Sequence, residues 1–269
     1  MAGKNVLTLF GVLAGLAGLL LGAVYVGQEA LLFAPERLPA DHAFDLPDVV
    51  ETRVPVDGAQ LSALHLRLPA PRGVVFFLHG NGGSLQNWFV NLDLYRRANF
   101  DLFMIDYRGY GKSSGRIRSE AQLHDDVAAA WRSIAPRYAG LRKVIFGRSL
   151  GTGLAARLAA DLPPAERPDL TILVSPYWSM ADLAHLHYPM LPGFLLRYPL
   201  ETFRDIGRIE GPVLLLHGDH DTLIPPSHSV RLQALARSAT FLPIAGAGHG
   251  DLQDFPAYRE AIAQSLSRL

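Results

Sequence analysis

Cysteine is absent from the 269 residues of the chain. Disulfide bonds, thiolate nucleophiles and cysteine-bound metals are therefore excluded from its stability and its chemistry. The sequence also lacks an H-E-x-x-H motif or a comparable spacing of metal ligands. We consequently expect an activity that uses ordinary side chains, with no metal and no other cofactor.

An excess of positive charge is missing as well, because 25 lysine and arginine residues balance 25 aspartate and glutamate residues. A nucleic-acid-binding domain would carry a basic surface, so nucleic acid is not an expected partner. Lysine itself is scarce: 3 lysines stand against 22 arginines, which indicates a GC-rich bacterial source. With 49% hydrophobic residues the chain can bury one large core, and we expect one catalytic domain with an appendage.

The longest apolar run lies near the N-terminus, where residues 6–27 contain no charge. As a helix with a rise of about 1.5 Å per residue, this run covers the roughly 30 Å hydrocarbon core of a bilayer. We therefore predict a tail at residues 1–5, a transmembrane anchor at 6–27, a connector at 28–47 and a catalytic domain at 48–269. A cleaved signal peptide is the alternative, but its apolar region would be shorter and would end in a small-x-small site, which is missing after Leu21.

The charges that flank the apolar run predict its orientation in the membrane. The N-terminal amine and Lys4 precede it, whereas Glu29, Glu36 and Asp41 follow it together with Arg37. Because positive flanks stay in the cytoplasm, this pattern favours a cytoplasmic N-terminus and a domain outside the cytoplasm.

Glycines within the apolar run form two G-x-x-x-G pairs on one helical face. They are Gly11, Gly15, Gly18 and Gly22. Such pairs allow two membrane helices to approach closely, so the anchor could support a weak homodimer. Ordinary glycine content in a membrane span explains the same pattern and is the preferred interpretation.

From residue 48 onward, short apolar runs alternate with helical patterns. Two antiparallel strands, Val49–Pro55 and Leu61–Leu68, flank a turn at Asp57-Gly58. Further strands are predicted at Val74–Leu78, Leu102–Ile105, Leu141–Phe146, Leu170–Val174, Val213–Leu216 and Thr240–Ile244. Helices are predicted at residues 84–97, 120–138, from 150 onward, 229–236 and 254–269. This alternation predicts a mostly parallel sheet of about eight strands with helices on both faces.

One serine, Ser149, lies where a predicted strand meets a predicted helix. The strand ends at Phe146 and the helix begins near Leu150, while Gly147 and Gly151 leave room for a tight turn. Such a turn exposes the serine hydroxyl and directs the next backbone N–H at the same point, where an oxyanion can form. The stretch therefore predicts a nucleophile elbow.

The same G-x-S-x-G pattern occurs a second time, around Ser113. No predicted strand enters that stretch and no helix leaves it directly, so Ser149 is the predicted nucleophile. Gly151–Ala156 also matches a dinucleotide-binding pattern, but that fold needs an acid at the end of the next strand. Asp169 precedes that strand instead, which argues against a nucleotide cofactor.

Aspartate and histidine residues follow two other predicted strands. Asp219 and Asp221 come after Val213–Leu216, and His249 follows the last strand between small residues. A serine nucleophile needs a base to take its proton, and the base needs a carboxylate to orient it. We predict that Ser149 is the nucleophile, His249 the base and an aspartate its partner, with Asp219 and Asp221 barely separable by chemistry alone.

Five motifs together resemble the α/β-hydrolase superfamily. They are His79–Gly83, Ile105–Gly111, Gly147–Gly151, His217–Asp221 with Ile224-Pro225, and Gly248-His249. The resemblance covers about residues 48–269 and implies the α/β-hydrolase fold. The apolar N-terminus, the Leu32–Pro35 stretch and the Tyr188–Pro192 stretch are similar to membrane-anchored α/β-hydrolase-domain proteins, which are relatives of eukaryotic protein depalmitoylases and of lysophospholipase-like hydrolases.

This resemblance also implies roles for individual residues. It selects Asp221, the second aspartate of its loop, as the catalytic acid, and it assigns the oxyanion hole to the backbone N–H groups of Asn81 and Leu150. The implied activity is that of a membrane-anchored serine hydrolase, which cleaves carboxylic esters or thioesters through an acyl-enzyme. A peptidase on the same fold and a catalytically idle membrane-tethered scaffold are the alternatives.

Aromatic and aliphatic residues are concentrated between positions 176 and 203. We predict a short cap over the nucleophile there, apolar enough to receive a lipid-like acyl chain. Its candidate substrate contacts are Trp178, Tyr188, Leu191 and Phe194. Simple packing of these side chains onto the edge of the sheet is the alternative.

Overall fold

The computed structural model describes residues 2–269, with the side chains of residues 2–8, Ala14 and Ala17 left aside. Its first element is a long apolar helix, α1 (Ala2–Val26). The stretch Leu9–Val26 has a mean hydropathy of 2.3 and none of it is buried against the rest of the chain, so it is long and apolar enough to cross a membrane. The helix begins earlier than the predicted span and takes in most of the predicted tail.

Within residues 2–269, eight strands form one sheet. They are β1 (Val49–Val56), β2 (Ala59–Leu66), β3 (Gly73–Leu78), β4 (Phe100–Ile105), β5 (Arg142–Arg148), β6 (Leu170–Val174), β7 (Val213–Gly218) and β8 (Ala239–Ile244). Their order across the sheet is β1-β2-β4-β3-β5-β6-β7-β8, with β1 and β2 antiparallel to their neighbours and the others parallel. The predicted sheet is therefore confirmed, with strand bounds that differ by at most two residues at either end.

Helices connect most of these strands. They are α2 (Gln28–Leu32), α3 (Leu85–Trp88), α4 (Leu92–Ala98), α5 (Glu120–Ile134), α6 (Leu150–Asp161), α7 (Met180–His187), α8 (Thr202–Ile206), α9 (Ser227–Leu235) and α10 (Pro256–Ser267). The prediction of one helix over residues 84–97 was wrong, because that stretch forms α3 and α4. Asn91 between them has a φ of 57°, a left-handed conformation that interrupts helical hydrogen bonding.

Apolar side chains cover both faces of the sheet. On one face, Phe76 of β3 packs in a cluster with Trp131 of α5 and with α6. On the other face, the next residue, Phe77, packs in a second cluster with Tyr95 of α4 and Ile262 of α10. Successive residues of a strand point to opposite faces, so the continuous apolar run in β3 supplies both clusters. Helices on both faces are thereby confirmed.

The connector runs across the carboxyl end of the sheet. Pro35 and Arg37 form isolated bridges with Gly83 and Gly111, the loops that follow β3 and β4. At its start, the Gln28 side chain is 2% exposed and donates from Nε2 to the Leu195 carbonyl at 2.6 Å. The end of α1 is thus held beside residues 176–203, the segment predicted to form the cap, which contains α7 and a short 3-10 turn at Gly193–Leu195.

Candidate active site

Ser149 lies between β5 and α6 in a conformation that few residues adopt. Its φ is 49° and its ψ is −118°. A Cβ at Gly151 would lie 2.0 Å from the Leu78 carbonyl oxygen, and a Cβ at Gly147 would lie 2.5 Å from the Gly151 carbonyl oxygen. Both glycines are therefore required by close backbone contacts. The turn leaves Ser149 half-buried at the carboxyl end of the sheet.

Three side chains from separate strand ends meet at this turn. The Ser149 Oγ lies 3.0 Å from His249 Nε2, and His249 Nδ1 lies 2.7 Å from Asp221 Oδ2. Asp219 does not take part in this chain of contacts, because its Oδ1 accepts from the Gly246 N–H at 2.7 Å. The structure thus brings Ser149, His249 and Asp221 together, and it separates Asp221 from Asp219.

Asp221 is buried, at 3% exposure, and both of its carboxylate oxygens have donors nearby. Its Oδ1 accepts from the backbone N–H groups of Leu223 at 3.0 Å and Ile224 at 2.8 Å. Burial opposes ionisation, but contacts from His217, from His249 and from the Ile224 N–H outweigh it and hold the pKa of Asp221 well below its usual range. The group is therefore an anion at neutral pH, placed to orient the His249 ring and to stabilise an imidazolium.

His217 supports this carboxylate and was not among the predicted site residues. Its Nε2 lies 2.7 Å from the Ile224 carbonyl oxygen and 3.3 Å from Asp221 Oδ2, and its Nδ1 lies 2.7 Å from Ser229 Oγ. Donation from Nε2 leaves Nδ1 to accept from the Ser229 hydroxyl. The ring is fully buried. Its position as the first residue of the His217–Asp221 motif was the available sequence signal.

The backbone N–H groups of Leu150 and Asn81 have no protein acceptor within the described part of the chain. Leu150 is the first residue of α6, where backbone N–H groups have no partner inside the helix. The loop that carries Asn81 approaches the nucleophile closely, since a Cβ at Gly80 would lie 3.4 Å from the Ser149 Cβ. The assignment of these two N–H groups as the oxyanion donors stays a prediction.

The Asn81 side chain ties its loop to neighbouring segments. Its Oδ1 accepts from the backbone N–H of Ala34 at 3.0 Å, from the N–H of Gly82 at 3.0 Å and from the Tyr110 hydroxyl at 2.9 Å. Ala34 belongs to the connector that follows α1. The position of the Asn81 backbone is therefore linked to the connector by direct hydrogen bonds.

Two buried groups, His79 and Asp106, lie beneath this loop. Burial lowers the pKa of His79 to about 4, against the opposing effect of its contact with the Gly80 carbonyl. Burial raises the pKa of Asp106 to about 7, against the opposing hydrogen bond that Oδ1 accepts from the Leu85 N–H at 2.9 Å. The hydrogen bonds of both side chains are to backbone groups, of Gly80 and Leu85, and not to Ser149, which agrees with structural roles.

Arg148 links the nucleophile turn to the histidine loop and was missed by sequence reasoning. Its Nη2 donates to the His249 carbonyl at 3.2 Å, and its guanidinium lies 5.4 Å from the Trp88 ring centroid. The side chain is 9% exposed. Because Arg148 precedes Ser149 directly, it couples the position of the His249 loop to that of the nucleophile.

An apolar cavity of about 400 Å³ lies next to these loops. Its lining includes three residues that are adjacent in sequence to the predicted site residues Asn81, Ser149 and His249, namely Gly82, Arg148 and Gly250. Its other walls come from α3, α4, β4 and α10 and include Trp88, Leu94, Tyr95, Leu102, Met104, Tyr258 and Ile262. Among residues 2–269, no group of three or more His, Asp or Glu side chains is arranged to hold a metal ion.

The four predicted substrate contacts occupy different environments. Tyr188 is 68% exposed and Phe194 is 85% exposed, whereas Leu191 and Trp178 are half-buried. The Trp178 ring stacks on Phe203 with centroids 5.0 Å apart. The cap therefore presents apolar side chains to its surroundings rather than burying all of them over the serine.

Residues 69–200 match a protein family described as Serine aminopeptidase, S33. Among curated proteins, human Alpha/beta hydrolase domain-containing protein 17B is 32% identical over 256 residues, which span 90% of this chain and 84% of the relative. The Xenopus laevis protein of the same name is 32% identical over 222 residues, which span 78% of this chain and 72% of the relative. These relatives are vertebrate proteins, so the bacterial source indicated by the arginine excess stays a prediction.

Solved structures share the architecture at low sequence identity. An esterase from Pyrococcus furiosus has a TM-score of 0.69 at 17% identity, over 88% of this chain and 97% of that one. A soluble variant of monoglyceride lipase from Saccharomyces cerevisiae has a TM-score of 0.67 at 16% identity, over 86% of this chain and 98% of that one. Together with the sheet order and the curated relatives, these matches establish the fold and confirm the resemblance drawn from the motifs. The chain belongs to the α/β-hydrolase family and is a serine hydrolase.

Proposed function

We propose that the chain is a membrane-anchored hydrolase that cleaves carboxylic esters or thioesters of acyl or lipid-like compounds. One observation carries the proposal: Ser149 Oγ, His249 and Asp221 form a continuous line of contacts of 3.0 and 2.7 Å. Ser149 lies half-buried at the carboxyl end of the sheet, where we expect a substrate carbonyl to reach its hydroxyl. A serine so placed is suited to nucleophilic catalysis.

In the proposed reaction, His249 Nε2 accepts the hydroxyl proton while Ser149 Oγ attacks the acyl carbonyl. The carbonyl oxygen becomes an oxyanion, which accepts hydrogen bonds from the backbone N–H groups of Asn81 and Leu150. His249 then donates its proton to the departing alcohol or thiol, and an acyl-enzyme remains on Ser149. Water attacks this ester in the second half-reaction, with His249 again as the base, and the carboxylic acid is released.

Asp221 has a defined part in this sequence. Its carboxylate accepts from His249 Nδ1, so the other ring nitrogen, Nε2, is left free to take the proton from Ser149. The low pKa of Asp221 keeps it ionised while His249 is protonated, which stabilises the imidazolium without a second proton transfer.

The position of the site supports an acyl or lipid-like substrate. Gln28, two residues beyond the end of α1, donates to the Leu195 carbonyl in the predicted cap. The exposed apolar side chains of Tyr188 and Phe194 belong to the same segment, which would therefore lie close to the bilayer that α1 spans. The cavity beside the site is lined mainly by apolar side chains. Two structural neighbours are described as an esterase and a monoglyceride lipase, which favours the same substrate class.

The anchor proposal rests on α1, whose Leu9–Val26 stretch is apolar and unburied. We propose a cytoplasmic N-terminus with the catalytic domain on the other side of the membrane. Protease treatment of intact and of permeabilised cells tests this orientation. A domain that is digested only after permeabilisation would reverse it.

A fluorophosphonate probe tests the nucleophile directly, since it reacts with activated serines. We expect the full-length protein to be labelled, the Ser149→Ala variant to remain unlabelled, and the Ser113→Ala variant to be labelled as before. Undiminished labelling of the Ser149→Ala variant would overturn the proposed mechanism.

The substrate class is tested with p-nitrophenyl esters of increasing acyl length. We expect kcat/KM to rise from acetyl to octanoyl and longer chains, because longer chains bury more apolar surface. A preference for the acetyl ester would contradict a lipid-like acyl group. Matched acyl thioesters then distinguish the two ester types.

A peptidase is the second candidate, and the family description Serine aminopeptidase, S33 favours it. Amides and esters share the acyl-enzyme route, so the same three residues serve both. Aminoacyl p-nitroanilides separate the two candidates. Faster turnover of an anilide than of the corresponding ester would favour the peptidase.

A further inference from the structure

An open cavity of about 800 Å³ lies where α1 joins the catalytic domain. Val26, the last residue of α1, lines it together with Phe33 and Pro35 of the connector. Four arginines complete its wall: Arg37, Arg116, Arg118 and Arg197. The chain as a whole has a formal net charge of zero, so this wall concentrates positive charge at one place on an otherwise balanced surface. Such a wall favours an anionic ligand.

Three of these arginines have no carboxylate partner within residues 2–269. Arg197 is the exception, since its Nη1 pairs with Glu29 Oε1 at 2.7 Å, which neutralises the acidic residue of the cavity wall. The guanidinium groups of Arg37, Arg116 and Arg118 remain available. Each offers a planar fork of N–H donors that matches the oxygens of a phosphate group.

Aromatic contacts place the cavity at the end of the apolar helix. The Arg197 guanidinium lies 5.7 Å from the ring centroid of Tyr25, which is in the last turn of α1 and 45% exposed. Tyrosines at the ends of membrane helices lie at the level of the lipid headgroups. A cavity that contacts Tyr25 through Arg197 therefore opens at headgroup depth when α1 spans a bilayer.

We propose that this cavity binds the phosphate of an anionic phospholipid, with Arg37, Arg116 and Arg118 as donors. The apolar floor at Phe33 and Pro35 faces the glycerol backbone and the first methylenes of the acyl chains. This inference rests on the proposed membrane anchoring by α1. Clustered arginines bind a headgroup phosphate through charge-assisted hydrogen bonds, which does not depend on the side of the membrane.

The bound headgroup would also contact the segment that positions the oxyanion loop. The connector donates from Ala34 N–H to Asn81 Oδ1 at 3.0 Å and from Glu36 N–H to the Gly83 carbonyl at 2.9 Å. Pro35 and Arg37, which alternate with these residues, line the cavity. A lipid in the cavity therefore holds the connector against the loop that carries Asn81, and it fixes the domain relative to the membrane.

Lipid selectivity is the quantity to measure, using the full-length Ser149→Ala protein in nanodiscs so that no turnover occurs. Acyl-chain spin-labelled phosphatidylglycerol and phosphatidylcholine report the fraction of each lipid held by the protein. We expect phosphatidylglycerol to be preferred by roughly fivefold or more, and the preference to vanish when Arg37, Arg116 and Arg118 are changed to glutamine. An unchanged preference in that variant would overturn the proposal.

A matched control separates the cavity from net charge. Arg132, Arg137 and Arg268 are exposed, have no carboxylate partner in the described part of the chain and lie at or beyond the carboxyl ends of α5 and α10. Changing these three to glutamine removes the same charge and should leave the preference intact. Equal loss in both triple variants would mean that general electrostatic attraction, and not this cavity, selects the lipid. Circular dichroism during heating verifies that each variant is folded.

Two further readings distinguish the source of the phosphate and the role of the anchor. Millimolar inorganic phosphate at constant ionic strength should leave the preference for phosphatidylglycerol unchanged. If inorganic phosphate abolished this preference, the cavity would be a site for soluble phosphate, and the lipid assignment would be overturned. Failure of the protein to co-elute with nanodiscs would refute the anchoring itself and the inference with it. Hydrolytic function is scored separately, by fluorophosphonate labelling of the unmodified protein.

Discussion

The chain contains one five-residue pattern twice, and the two copies behave differently. Ser149 lies on a turn between β5 and α6 with its Oγ 3.0 Å from His249 Nε2. Ser113 is 3% exposed, donates to the Asp106 carbonyl at 2.7 Å and accepts from the Ser62 N–H at 2.7 Å. Both stretches use glycine to turn the chain, but only the first has a strand before it and a helix after it. Glycines thus permit a serine to lie in a tight turn, while the flanking strand and helix decide whether its hydroxyl reaches a base.

The buried carboxylates near the two serines differ in the same sense. Asp221 receives donors on both oxygens, and its pKa lies well below the usual range. Asp106 has one oxygen without a partner within residues 2–269, and burial raises its pKa to about 7. The surroundings of Asp221 therefore stabilise its carboxylate form, whereas those of Asp106 favour its protonated form.

The largest expected effect separates the two serines by activity. The Ser149→Ala variant should lose roughly 10⁵- to 10⁶-fold in kcat for a p-nitrophenyl ester, because the nucleophile is removed. Ser113→Ala should retain kcat within about threefold, since its hydroxyl contacts only backbone groups. Initial-rate kinetics on both purified variants measure this. A comparable loss in the two variants would remove the distinction between the copies.

A second, smaller effect separates the two aspartates of one loop. Asp221→Asn should lower kcat by about 10³- to 10⁴-fold, because the amide no longer holds His249 in the tautomer that accepts from Ser149. Asp219→Asn is the matched control and should change kcat only a few-fold, as its carboxylate accepts from Gly246 outside the site. Steady-state kinetics on the pair decide the assignment, and a larger loss at Asp219 would reverse it.

The two serine variants should rank in the opposite order when their free energy of unfolding, and not their activity, is measured. Ser113→Ala should lower the free energy of unfolding by about 1–3 kcal/mol, because the buried Ser62 N–H loses its acceptor. Ser149→Ala should change it by less than about 0.5 kcal/mol, since its half-exposed hydroxyl can be replaced without stranding a buried group. Urea titrations in the same detergent test both values. Equal destabilisation of the two variants would mean that the Ser149 hydroxyl also stabilises the folded chain.

The smallest effect concerns the pH dependence of stability at Asp106. Burial raises its pKa from 3.8 to about 7, so between these values the folded chain binds a proton that the unfolded chain does not. The contribution of this group to the free energy of unfolding therefore falls as pH rises from 3.8 to about 7 and stays low above that. Asp106→Asn imitates the protonated form and should stabilise the chain by about 1–2 kcal/mol at pH 8, with no gain near pH 4. Denaturation curves at both pH values check this, and a gain that is largest in acid would contradict it.

Much of the fold and of the site could be predicted from the sequence because the decisive signals are local. Continuous apolar runs identify buried parallel strands, and β6 was predicted with its observed bounds. The turn at Ser149 was visible as a strand, a glycine-flanked serine and a helix in succession. His249 was likewise marked by small residues at the end of a strand.

Other features depend on contacts between distant segments and had no local signal. The prediction for residues 84–97 missed the left-handed Asn91, because a short helix followed by another has the same apolar pattern as one long helix. Arg148 was missed because its partner, the His249 carbonyl, is 101 residues away in sequence. Local chemistry alone did not separate Asp221 from Asp219; the family resemblance favoured Asp221, and the path of the loop after β7 places that residue against His249.

Local patterns in the chain suffice to predict the α/β class, the strand positions, the nucleophile turn and the apolar N-terminal segment, because hydrophobic periodicity and glycine placement act over a few residues. The convergence of four arginines at the end of α1 and the contact of Arg148 with the His249 loop are visible only in the tertiary structure. Arg37, Arg116, Arg118 and Arg197 come from three separate stretches of chain. Their convergence depends on how the connector and the cap pack on the sheet, and no short-range pattern encodes that.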